Sequence, residues 1–497
     1  MIHVSASHQT QRRRGIDSAS EPPSVPLCID LDGTFIKSDL LLEGVLRLLR
    51  HRPLLALRLP FWLAQGKTYL KKQLATQLPE PVSPPPVNEE IRSWLDEEKA
   101  KGRRIVLVTA SHEAALGPIK GLFDFDKIYA SNDRLNLKGE NKAKLLVKLF
   151  GERGFDYAGD SRADEIVWKH ARKAIPVFHS RRRLAAMSKK FDVDRTFCTN
   201  FTSWPDWVQA LRVHQWAKNM LIAVPFFVGH HYDTVWQVAG LFAAFIAMSF
   251  CASGTYLWND LLDLEYDRAH PRKRNRLAAS GKATIPGIVA ASCVMVGSGL
   301  IGGFFLDVTF GFLLLGYIAT TLSYSLYFKR VAIADIFVLA FLYLSRIIAG
   351  ILISEAILSF WIFAFTFLLF LSLAAAKRFV ELKMRTEEGA RTLHGRGYQK
   401  EDLPTISGFG IATGVASGIV LGLYSHSEQV IELYTRPQWF WGICVIALYW
   451  ITRMWFCTHR GLMHDDPLVF ALKDRCTWFL AATGIALVLL AQPTPGT

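Results

Sequence analysis

Several features are scarce or missing in this 497-residue sequence. Its seven cysteines are scattered, with no CxxC pair and no spacing typical of a zinc site, so neither a disulfide framework nor a structural metal site is indicated. Acidic residues number 43 against 57 basic ones, which gives a formal net charge of +14. That balance fits anionic lipid headgroups and phosphorylated substrates, and by itself also nucleic acid. The positions of the charges, described below, favour lipid and phosphate over nucleic acid.

The first 24 residues lack an apolar run of signal-peptide length. They are polar and include three arginines at 12–14, so we interpret 1–24 as a disordered cytoplasmic tail and not as a targeting sequence. Hydrophobic residues nevertheless make up 51% of the chain. The chain is too apolar for a purely soluble protein and too long for one ordinary core, so at least two domains are expected.

Two stretches of different character follow this tail. From 25 to 198, short apolar runs alternate with longer charged stretches, a pattern typical of a parallel α/β sheet. Within it, the Leu-rich stretch 40–63 carries four arginines and two prolines, which disfavour a spanning helix. We interpret this stretch as a helical cap insertion that could lie against the membrane surface. Residues 199–210 are predicted to link this domain to a second one at 211–491.

Nine apolar segments in the second domain are centred roughly on residues 222, 246, 292, 314, 342, 365, 414, 446 and 482. If the first segment runs outward, the inner connections carry eighteen Lys and Arg residues and the outer ones carry one, Arg436. Because basic residues accumulate on the cytoplasmic side, the N-terminal domain and the basic loops are predicted to share that face. We therefore expect an all-α polytopic bundle of nine transmembrane helices in a bacterial-type inner (cell) membrane, with the C-terminus on the opposite side.

Two carboxylates follow the first apolar run in the sequence LCIDLDGT, residues 27–34. Side chains two residues apart in a strand point the same way, so Asp30 and Asp32 can act on one substrate atom. Three further elements follow in order: hydroxyl residues at 109–111, a lysine at a helix start, and the sequence GDSRAD at 159–164. An Asp-Gly turn after a strand is common, but the four elements together are specific.

These four elements resemble the haloacid dehalogenase superfamily of phosphatases over roughly residues 25–180. The resemblance implies a Rossmann-like α/β fold with a helical cap, in which Asp30 is the nucleophile and Asp32 is the general acid and base. It also implies phosphate contacts at Thr109 and Lys142, and Mg²⁺ ligands at Asp30, Asp32, Asp160 and Asp164. The alternative is a domain that has lost activity and only docks on or stabilises the membrane half.

An acidic motif, NDLLDLEYDR at 259–268, marks the inner end of the second predicted span. Asp260, Asp263 and Asp267 stand at i, i+3 and i+7, so on a helix they share one face. Three carboxylates near hydrocarbon are costly without a divalent cation, and such sites suit Mg²⁺ carrying a di- or polyphosphate. The cations that could contact phosphate oxygens nearby are Arg268, Lys273 and Arg276. A solvated acidic loop is the alternative, and it leaves these cations unexplained.

This motif, the nine predicted spans and the one-sided basic loops resemble the UbiA-type intramembrane prenyltransferase superfamily over about residues 205–490. Such proteins usually carry a second acidic motif, through which two Mg²⁺ ions hold a prenyl diphosphate. The corresponding stretch here is YSLYFKR at 324–330, which is basic where acid is expected, and Asp335 is the one carboxylate left. This departure suggests one Mg²⁺-bound diphosphate beside a second, metal-free anion such as a lipid monophosphate.

The variant looks like the branch that transfers 5-phosphoribose from phosphoribosyl diphosphate to polyprenyl phosphate. The resemblance implies that the three aspartates of the acidic motif hold Mg²⁺ and the leaving diphosphate. Lys329 and Arg330 are expected to bind the phosphate of the lipid acceptor. The full set of expected substrate-binding residues is Lys218, Asn219, Asn259, Arg268, Lys273, Arg276, Tyr324, Lys329, Arg330, Lys377 and Arg378. A further acidic group, Asp465, Asp466 and Asp474, lies in the last inner loop.

A phosphoribosyl lipid carries a 5-phosphate, and a phosphatase on the same membrane face would remove it. The sequence thus predicts a bifunctional, Mg²⁺-dependent membrane enzyme with a transferase and a hydrolase. The alternative is ordinary prenyl transfer from a prenyl diphosphate to an aromatic or lipid acceptor, with the phosphatase acting on a separate metabolite. A transporter with a regulatory domain fits less well, because ionisable residues cluster at the helix ends instead of at mid-span.

Overall fold

A computed structural model of the protein describes residues 25–491, apart from 179, 199–201, 229–233, 355–359, 388–395, 428–429, 431–433, 435 and 464–465. The predicted tail at 1–24 and Asp465 therefore lie outside the described residues. Contacts divide the chain into two compact units. Unit 1 is Met1–Leu41 with Pro60–Asn200, and unit 2 is Leu42–Leu59 with Phe201–Thr497.

Unit 1 is built on one six-stranded sheet. Its strands are β1 (Leu27–Ile29), β2 (Ile105–His112), β3 (Lys127–Ser131), β4 (Asp156–Gly159), β5 (Ala174–Phe178) and β6 (Phe197–Cys198). They lie in the order β3-β2-β1-β4-β5-β6, and all neighbours are parallel. The strands β1, β4 and β5 are buried throughout, as expected for the strands of a parallel sheet covered on both faces. The predicted parallel α/β sheet is confirmed.

The helices surround the sheet in unit 1 and form a bundle in unit 2. In the first part of the chain they are α1 (Leu40–His51), α2 (Leu59–Ala64), α3 (Lys67–Thr76), α4 (Glu89–Ala100), α5 (Glu140–Phe150), α6 (Asp164–His170) and α7 (Arg181–Lys190). Those that follow are α8 (Trp204–Ala210), α9 (Ala223–Val228), α10 (Val235–Leu262), α11 (Leu264–Ala269), α12 (Ile285–Leu306), α13 (Val308–Leu326), α14 (Ala334–Ser354), α15 (Phe360–Glu387), α16 (Leu403–Tyr424), α17 (Phe440–His459), α18 (Pro467–Lys473) and α19 (Arg475–Ala491).

The Leu-rich stretch predicted to form a cap does not stay with unit 1 as a whole. Residues 42–59 group with unit 2. There Leu46 packs in one apolar cluster with Leu257, Leu261 and Leu277. The amphipathic face of α1 is thus buried against unit 2, which corrects the expectation that this segment covers the first domain.

Seven helices, α10 and α12 to α17, are long and apolar enough to cross a membrane. α18 and α19 would make an eighth span if counted together, although they are bent by 80°. The first predicted segment, around residue 222, is a 3-10 helix at Val213–Ile222 followed by the six-residue α9. Nine helical spans are therefore not confirmed among the described residues.

The chain order places several polar helix ends at one end of this bundle. α10 ends at Leu262, α13 ends at Leu326 and α14 begins at Ala334. Two apolar cores hold these helices, one among α10, α13 and α14 and another among α14, α15 and α17. The cores fix the helix ends, and with them the polar residues described next.

Candidate active sites

Three carboxylates at the carboxyl end of the unit 1 sheet meet in one group. Single oxygens of Asp30, Asp160 and Asp164 all lie within 4.8 Å of one another, and no other trio of His, Cys, Asp or Glu does so in the part of the chain that the structure describes. This is the crevice where the strand order reverses at β1, a usual ligand site in such sheets. Lys142 Nζ lies 3.0 Å from Asp30 Oδ1 and 3.5 Å from Asp164 Oδ1. One lysine does not balance three acids, so the donor set fits a divalent cation.

Burial perturbs these carboxyl groups strongly. It raises the pKa of Asp30 to about 6, against the opposing charge of Lys142. Burial and the charges of Asp30 and Asp164 raise the pKa of Asp160 to about 8. Without a bound cation, part of the group would be protonated at neutral pH. A divalent ion would hold the carboxylates ionised, which is a second reason why the residues fit Mg²⁺.

Asp32 lies outside the three-carboxylate group and has its own partners. Its Oδ2 accepts a hydrogen bond from Ser111 Oγ at 2.6 Å, and its Oδ1 accepts one from Leu40 N at 2.9 Å. Burial, followed by the charge of Asp39, raises the pKa of Asp32 to about 7. A carboxyl group with this pKa can both donate and accept a proton near neutral pH. The geometry thus suits an acid and base better than a ligand of the metal expected here.

A glycine turn makes room for the carboxylates. Gly33 has φ +72°, the left-handed region that favours glycine. A Cβ at this position would lie 2.7 Å from Asp160 Cγ and closer still to its Oδ2. Next in sequence, Thr34 Oγ1 is buried without a hydrogen-bond partner among the described residues. The turn therefore allows Asp160 to approach β1 and leaves one hydroxyl available to a ligand.

A tyrosine that the sequence analysis missed connects Lys142 to the acids. Lys142 Nζ donates to Tyr157 Oη at 2.6 Å, and Tyr157 Oη donates to Asp164 Oδ1 at 2.8 Å. Ser161 supports the other oxygen of Asp164 through its backbone N and its Oγ, at 3.0 and 2.6 Å. Thr109, predicted to contact phosphate, is buried, and its Oγ1 accepts from the backbone N of Ser111 at 2.9 Å. The signal for Tyr157 was a hydroxyl in a short strand, next to Asp156.

Two acids of the unit 2 motif share one cation. Arg276 Nη1 lies 3.0 Å from Asp260 Oδ1 and 2.8 Å from Asp267 Oδ2. Arg212, at the start of the 3-10 helix, also pairs with Asp260. Burial raises the pKa of Asp267 to about 6, although Arg276 opposes the shift. Both carboxylates therefore point to one place, where a divalent cation could replace the guanidinium.

The third acid of the motif, Asp263, pairs with Lys329. Lys329 Nζ lies 2.8 and 2.9 Å from the two carboxylate oxygens. Asn259 Oδ1 accepts from Ser325 Oγ at 3.0 Å and from Lys329 Nζ at 3.4 Å. Burial lowers the pKa of Lys329 to about 8. The predicted acceptor lysine thus lies beside the acidic motif.

A second cationic cluster surrounds Asp466. Lys218 Nζ and Lys377 Nζ lie 2.7 and 2.9 Å from its Oδ2. Tyr343 Oη lies 3.2 Å from the same oxygen. Lys218 stands six residues after Arg212, which is roughly 12 Å along a 3-10 helix. Lys218 therefore lies away from the acidic motif with which Arg212 pairs, although both basic residues belong to one segment.

A buried arginine within the bundle was also missed. Arg346 is the one charged residue of α14 after Asp335. Its Nε donates to Asn219 Oδ1 at 2.8 Å, and Asn219 Nδ2 donates to Ser249 Oγ at 2.9 Å. Asn219, a predicted substrate contact, therefore orients Arg346. A lone charge inside an apolar span was the signal that could have identified it.

Several predicted contacts are engaged elsewhere. Arg268 forms two hydrogen bonds with Glu43, at 2.6 and 3.0 Å, and Arg330 Nη2 donates to the backbone oxygen of Arg50 at 2.6 Å. Lys273 is exposed in a 3-10 turn next to the acidic motif. Arg268 and Arg330 are therefore less suited to direct phosphate contact than Arg276 and Lys329, whereas Lys273 lies close enough to Asp267 for their charges to interact.

An ion-pair network lies around Asp335, in the stretch where the sequence analysis expected a second acidic motif. Asp335 is fully buried and pairs with Arg378 and, at 3.5 Å, with Arg396. Glu381 accepts from Arg378 Nη1 at 2.5 Å and lies 3.3 Å from Arg396 Nη2. Arg378 Nη2 also donates to Tyr324 Oη at 2.7 Å. Two carboxylates and two guanidinium groups balance each other, so this network does not fit a second divalent cation.

Comparisons with known proteins agree with this architecture. The UbiA prenyltransferase family matches residues 220–473, which lie in unit 2. The chain is 37% identical to the uncharacterised protein y4nM of Sinorhizobium fredii, over 94% of this chain and 91% of that protein. It is 32% identical to the nodulation protein NoeC of Azorhizobium caulinodans, over 57% of this chain and 91% of that protein.

A third relative has a named activity. The chain is 35% identical to decaprenyl-phosphate phosphoribosyltransferase of Mycobacterium tuberculosis, over 56% of this chain and 92% of that protein. The matched domain and the apolar helices mark a multi-pass membrane protein. The chain belongs to the UbiA prenyltransferase family.

Proposed function

We propose that unit 2 transfers 5-phosphoribose from phosphoribosyl diphosphate to a polyprenyl phosphate. The observation that carries the proposal is the replacement of the second acidic motif by the neutral Asp335 network, beside a separate pair of lysines on Asp466. One metal-compatible motif and one metal-free cationic cluster suit two different anions. The relatives named decaprenyl-phosphate phosphoribosyltransferase support the same pairing of substrates.

The donor diphosphate is assigned to the acidic motif. Asp260, Asp263 and Asp267 would hold Mg²⁺, which neutralises the diphosphate and stabilises it as a leaving group. Arg276 and Lys329 would then leave their carboxylate partners and bind oxygens of the diphosphate, because each already contacts the acidic motif. The contact of Lys329 with Asp263 favours the donor side for this lysine, in place of the acceptor side expected from sequence.

The acceptor phosphate is assigned to Lys218 and Lys377. Both ammonium groups converge on one carboxylate oxygen of Asp466, so a phosphate oxygen could take the same position. In the reaction, an acceptor oxygen attacks C1 of the ribose, the new C1–O bond forms and the C1–O bond to diphosphate breaks. Cations held in fixed positions stabilise the negative charge that develops on the leaving group.

For unit 1 we propose a haloacid dehalogenase-like phosphatase that removes the 5-phosphate from the transferase product. Asp30 attacks phosphorus and forms an aspartyl phosphate, while Asp32 protonates the departing ribose oxygen. Asp32 then takes a proton from water, which hydrolyses the phosphoenzyme. Lys142 neutralises the phosphoryl oxygens, and the carboxylates Asp160 and Asp164 fit the Mg²⁺ that offsets the remaining charge.

The proposed localisation follows from the loop charges. The proposed donor is water-soluble and the proposed phosphatase acts on the product of the transfer, so both acidic clusters are assigned to the cytoplasmic side, where the basic connections are predicted to lie. The phosphatase-like domain comprises residues 25–198 without 42–59, and the transferase domain includes that segment.

The test incubates membranes containing the full chain with labelled phosphoribosyl diphosphate and polyprenyl phosphate, and identifies the lipid by mass spectrometry. The wild type should form a ribosyl lipid without phosphate on the ribose. Asp263→Asn should form no ribosyl lipid, and Asp30→Asn should accumulate the 5-phosphorylated lipid.

Three outcomes would contradict parts of the proposal. Label transfer from a prenyl diphosphate, but not from phosphoribosyl diphosphate, would favour the ordinary reaction of the family. A dephosphorylated product in Asp30→Asn, formed as readily as in the wild type, would assign unit 1 to another substrate. Loss of all transfer in Asp30→Asn would indicate a structural role for unit 1.

A further inference from the structure

The segment 42–59 carries charges that match those of α11. Glu43 binds Arg268 through two hydrogen bonds at 2.6 and 3.0 Å. On the same side, Arg47 Nε lies 3.2 Å and His51 Nε2 lies 2.5 Å from the carboxylate of Glu265. These partners stand on either side of the acidic motif residue Asp267. The pairs therefore hold α1 in register with the donor site proposed above.

Arg50 reaches from this helix to the acidic motif itself. Its side chain is 4% exposed, and Nη1 lies 2.6 Å from Asp263 Oδ1. Nη1 also donates to the backbone oxygen of Ser325 at 3.3 Å, and the guanidinium lies 5.2 Å from the ring centroid of Tyr266. A residue more than two hundred positions away in sequence thus supplies a cation to a predicted Mg²⁺ ligand.

One donor of Arg50 is unused. Its Nε is buried and has no hydrogen-bond partner in the part of the chain that the structure describes. A buried N–H group without an acceptor is unfavourable and uncommon, so it points to an acceptor that is bound during function. Nε and Nη2 lie along one edge of the guanidinium and form a planar fork that fits two oxygens of one phosphate. A diphosphate bound beside Asp263, which lies on Nη1, could place one of its phosphates on this edge.

A purely structural ion pair explains these contacts less well. Asp263 already has Lys329 at 2.8 Å, so a second, more deeply buried cation is not needed to balance one carboxylate. When a divalent cation binds Asp263, both Lys329 and Arg50 lose this carboxylate as a partner. The anion that enters with the cation is the new partner available to both.

We propose that Arg50 is a phosphate-binding residue of the transferase site, which contacts the diphosphate of the donor through the guanidinium edge that carries Nε and Nη2. The segment 42–59 then contributes a substrate-binding residue to the transferase, although it interrupts the sequence of the phosphatase-like domain. The inference rests on the proposed function of unit 2, because it requires a diphosphate at the acidic motif.

The test measures binding and does not depend on turnover. The full chain in detergent is equilibrated with labelled inorganic diphosphate and Mg²⁺, and the dissociation constants of the wild type, Arg50→Gln and Arg50→Lys are compared. Arg52→Gln is the matched control, since it removes the same charge from an exposed position two residues away. Size-exclusion profiles and melting temperatures verify that each variant is folded.

Because Arg50→Gln removes a charge-assisted hydrogen bond, its dissociation constant for diphosphate should be about tenfold or more above that of the wild type. Arg50→Lys should recover part of the loss, because it keeps the charge without the fork, and Arg52→Gln should stay within about twofold of the wild type. Wild-type or tighter binding in Arg50→Gln would overturn the role of Arg50 alone. No binding by the wild type itself would overturn the donor site and this inference together.

Discussion

Replacing Gly33 by alanine separates backbone strain from damage to the proposed Mg²⁺ site. Gly33 and Gly102 both have left-handed φ, +72° and +79°. Alanine should therefore cost each position a similar amount, about 1–2 kcal/mol of unfolding free energy. At Gly33 the new Cβ would also lie 2.7 Å from Asp160 Cγ, whereas nothing lies within 4 Å of a Cβ at Gly102. Only Gly33→Ala should displace a carboxylate from the three-acid group.

The expected size of the difference follows from linkage. At a Mg²⁺ concentration one hundred times the dissociation constant, binding stabilises the folded state by about 2.7 kcal/mol. A hundredfold weaker site at the same concentration stabilises it by only about 0.4 kcal/mol. Gly33→Ala should lose most of the Mg²⁺-dependent rise in melting temperature, and Gly102→Ala should keep it.

Two assays on the full chain check this prediction. One is the melting temperature over a Mg²⁺ titration, and the other is Mg²⁺-dependent hydrolysis of a chromogenic phosphate monoester. If Gly33→Ala retains as much hydrolysis and as much Mg²⁺ stabilisation as Gly102→Ala, Asp160 does not serve the metal, and the assignment of this cluster is wrong.

Three further predictions concern both units. Asp263→Asn should abolish transfer with little loss of folded protein, because it removes a metal ligand at constant volume; turnover in this variant or in excess chelator would contradict the metal assignment. Lys329→Gln should raise the KM for phosphoribosyl diphosphate and Lys377→Gln the KM for the lipid acceptor, measured separately; the opposite pattern would reverse the two anion sites. The folded-state pKa values of Asp30 and Asp160, about 6 and about 8, lie above those of an unfolded chain, so metal-free unit 1 loses stability as pH rises from about 4 to the folded-state pKa of each group. The increase in melting temperature caused by Mg²⁺ should accordingly be larger at pH 8 than at pH 5, and an equal increase would contradict the coupling.

The sheet and its acidic crevice could be predicted because their signals are local. An apolar run that ends in Asp30 specifies a buried strand and the residue at its carboxyl end, and parallel strands bring such ends together. The same holds for the acidic motif at the end of α10, where the helical spacing of Asp260 and Asp263 was visible in the sequence. These features need no knowledge of distant contacts.

The features that were missed depend on contacts between remote residues. The composition of residues 42–59 is typical of a cap. Their assignment to unit 2 depends on ion pairs with α11 and on the packing of Leu46 against α10 and α11. Whether Lys329 faces the donor or the acceptor could not be read from its neighbours in sequence either. That depends on where Asp263 lies once the helices pack.

The Asp335 network also affects how the rate of transfer should depend on Mg²⁺ concentration. Enzymes that assemble two ions around one substrate respond to free metal with a steep, cooperative rise in rate. Here Arg378 and Arg396 already neutralise Asp335, so this carboxylate is not available to a second ion. The rate of transfer should therefore follow Mg²⁺ concentration along a simple saturation curve without cooperativity. The Asp335 part of the site should stay formed even when the free ion is scarce.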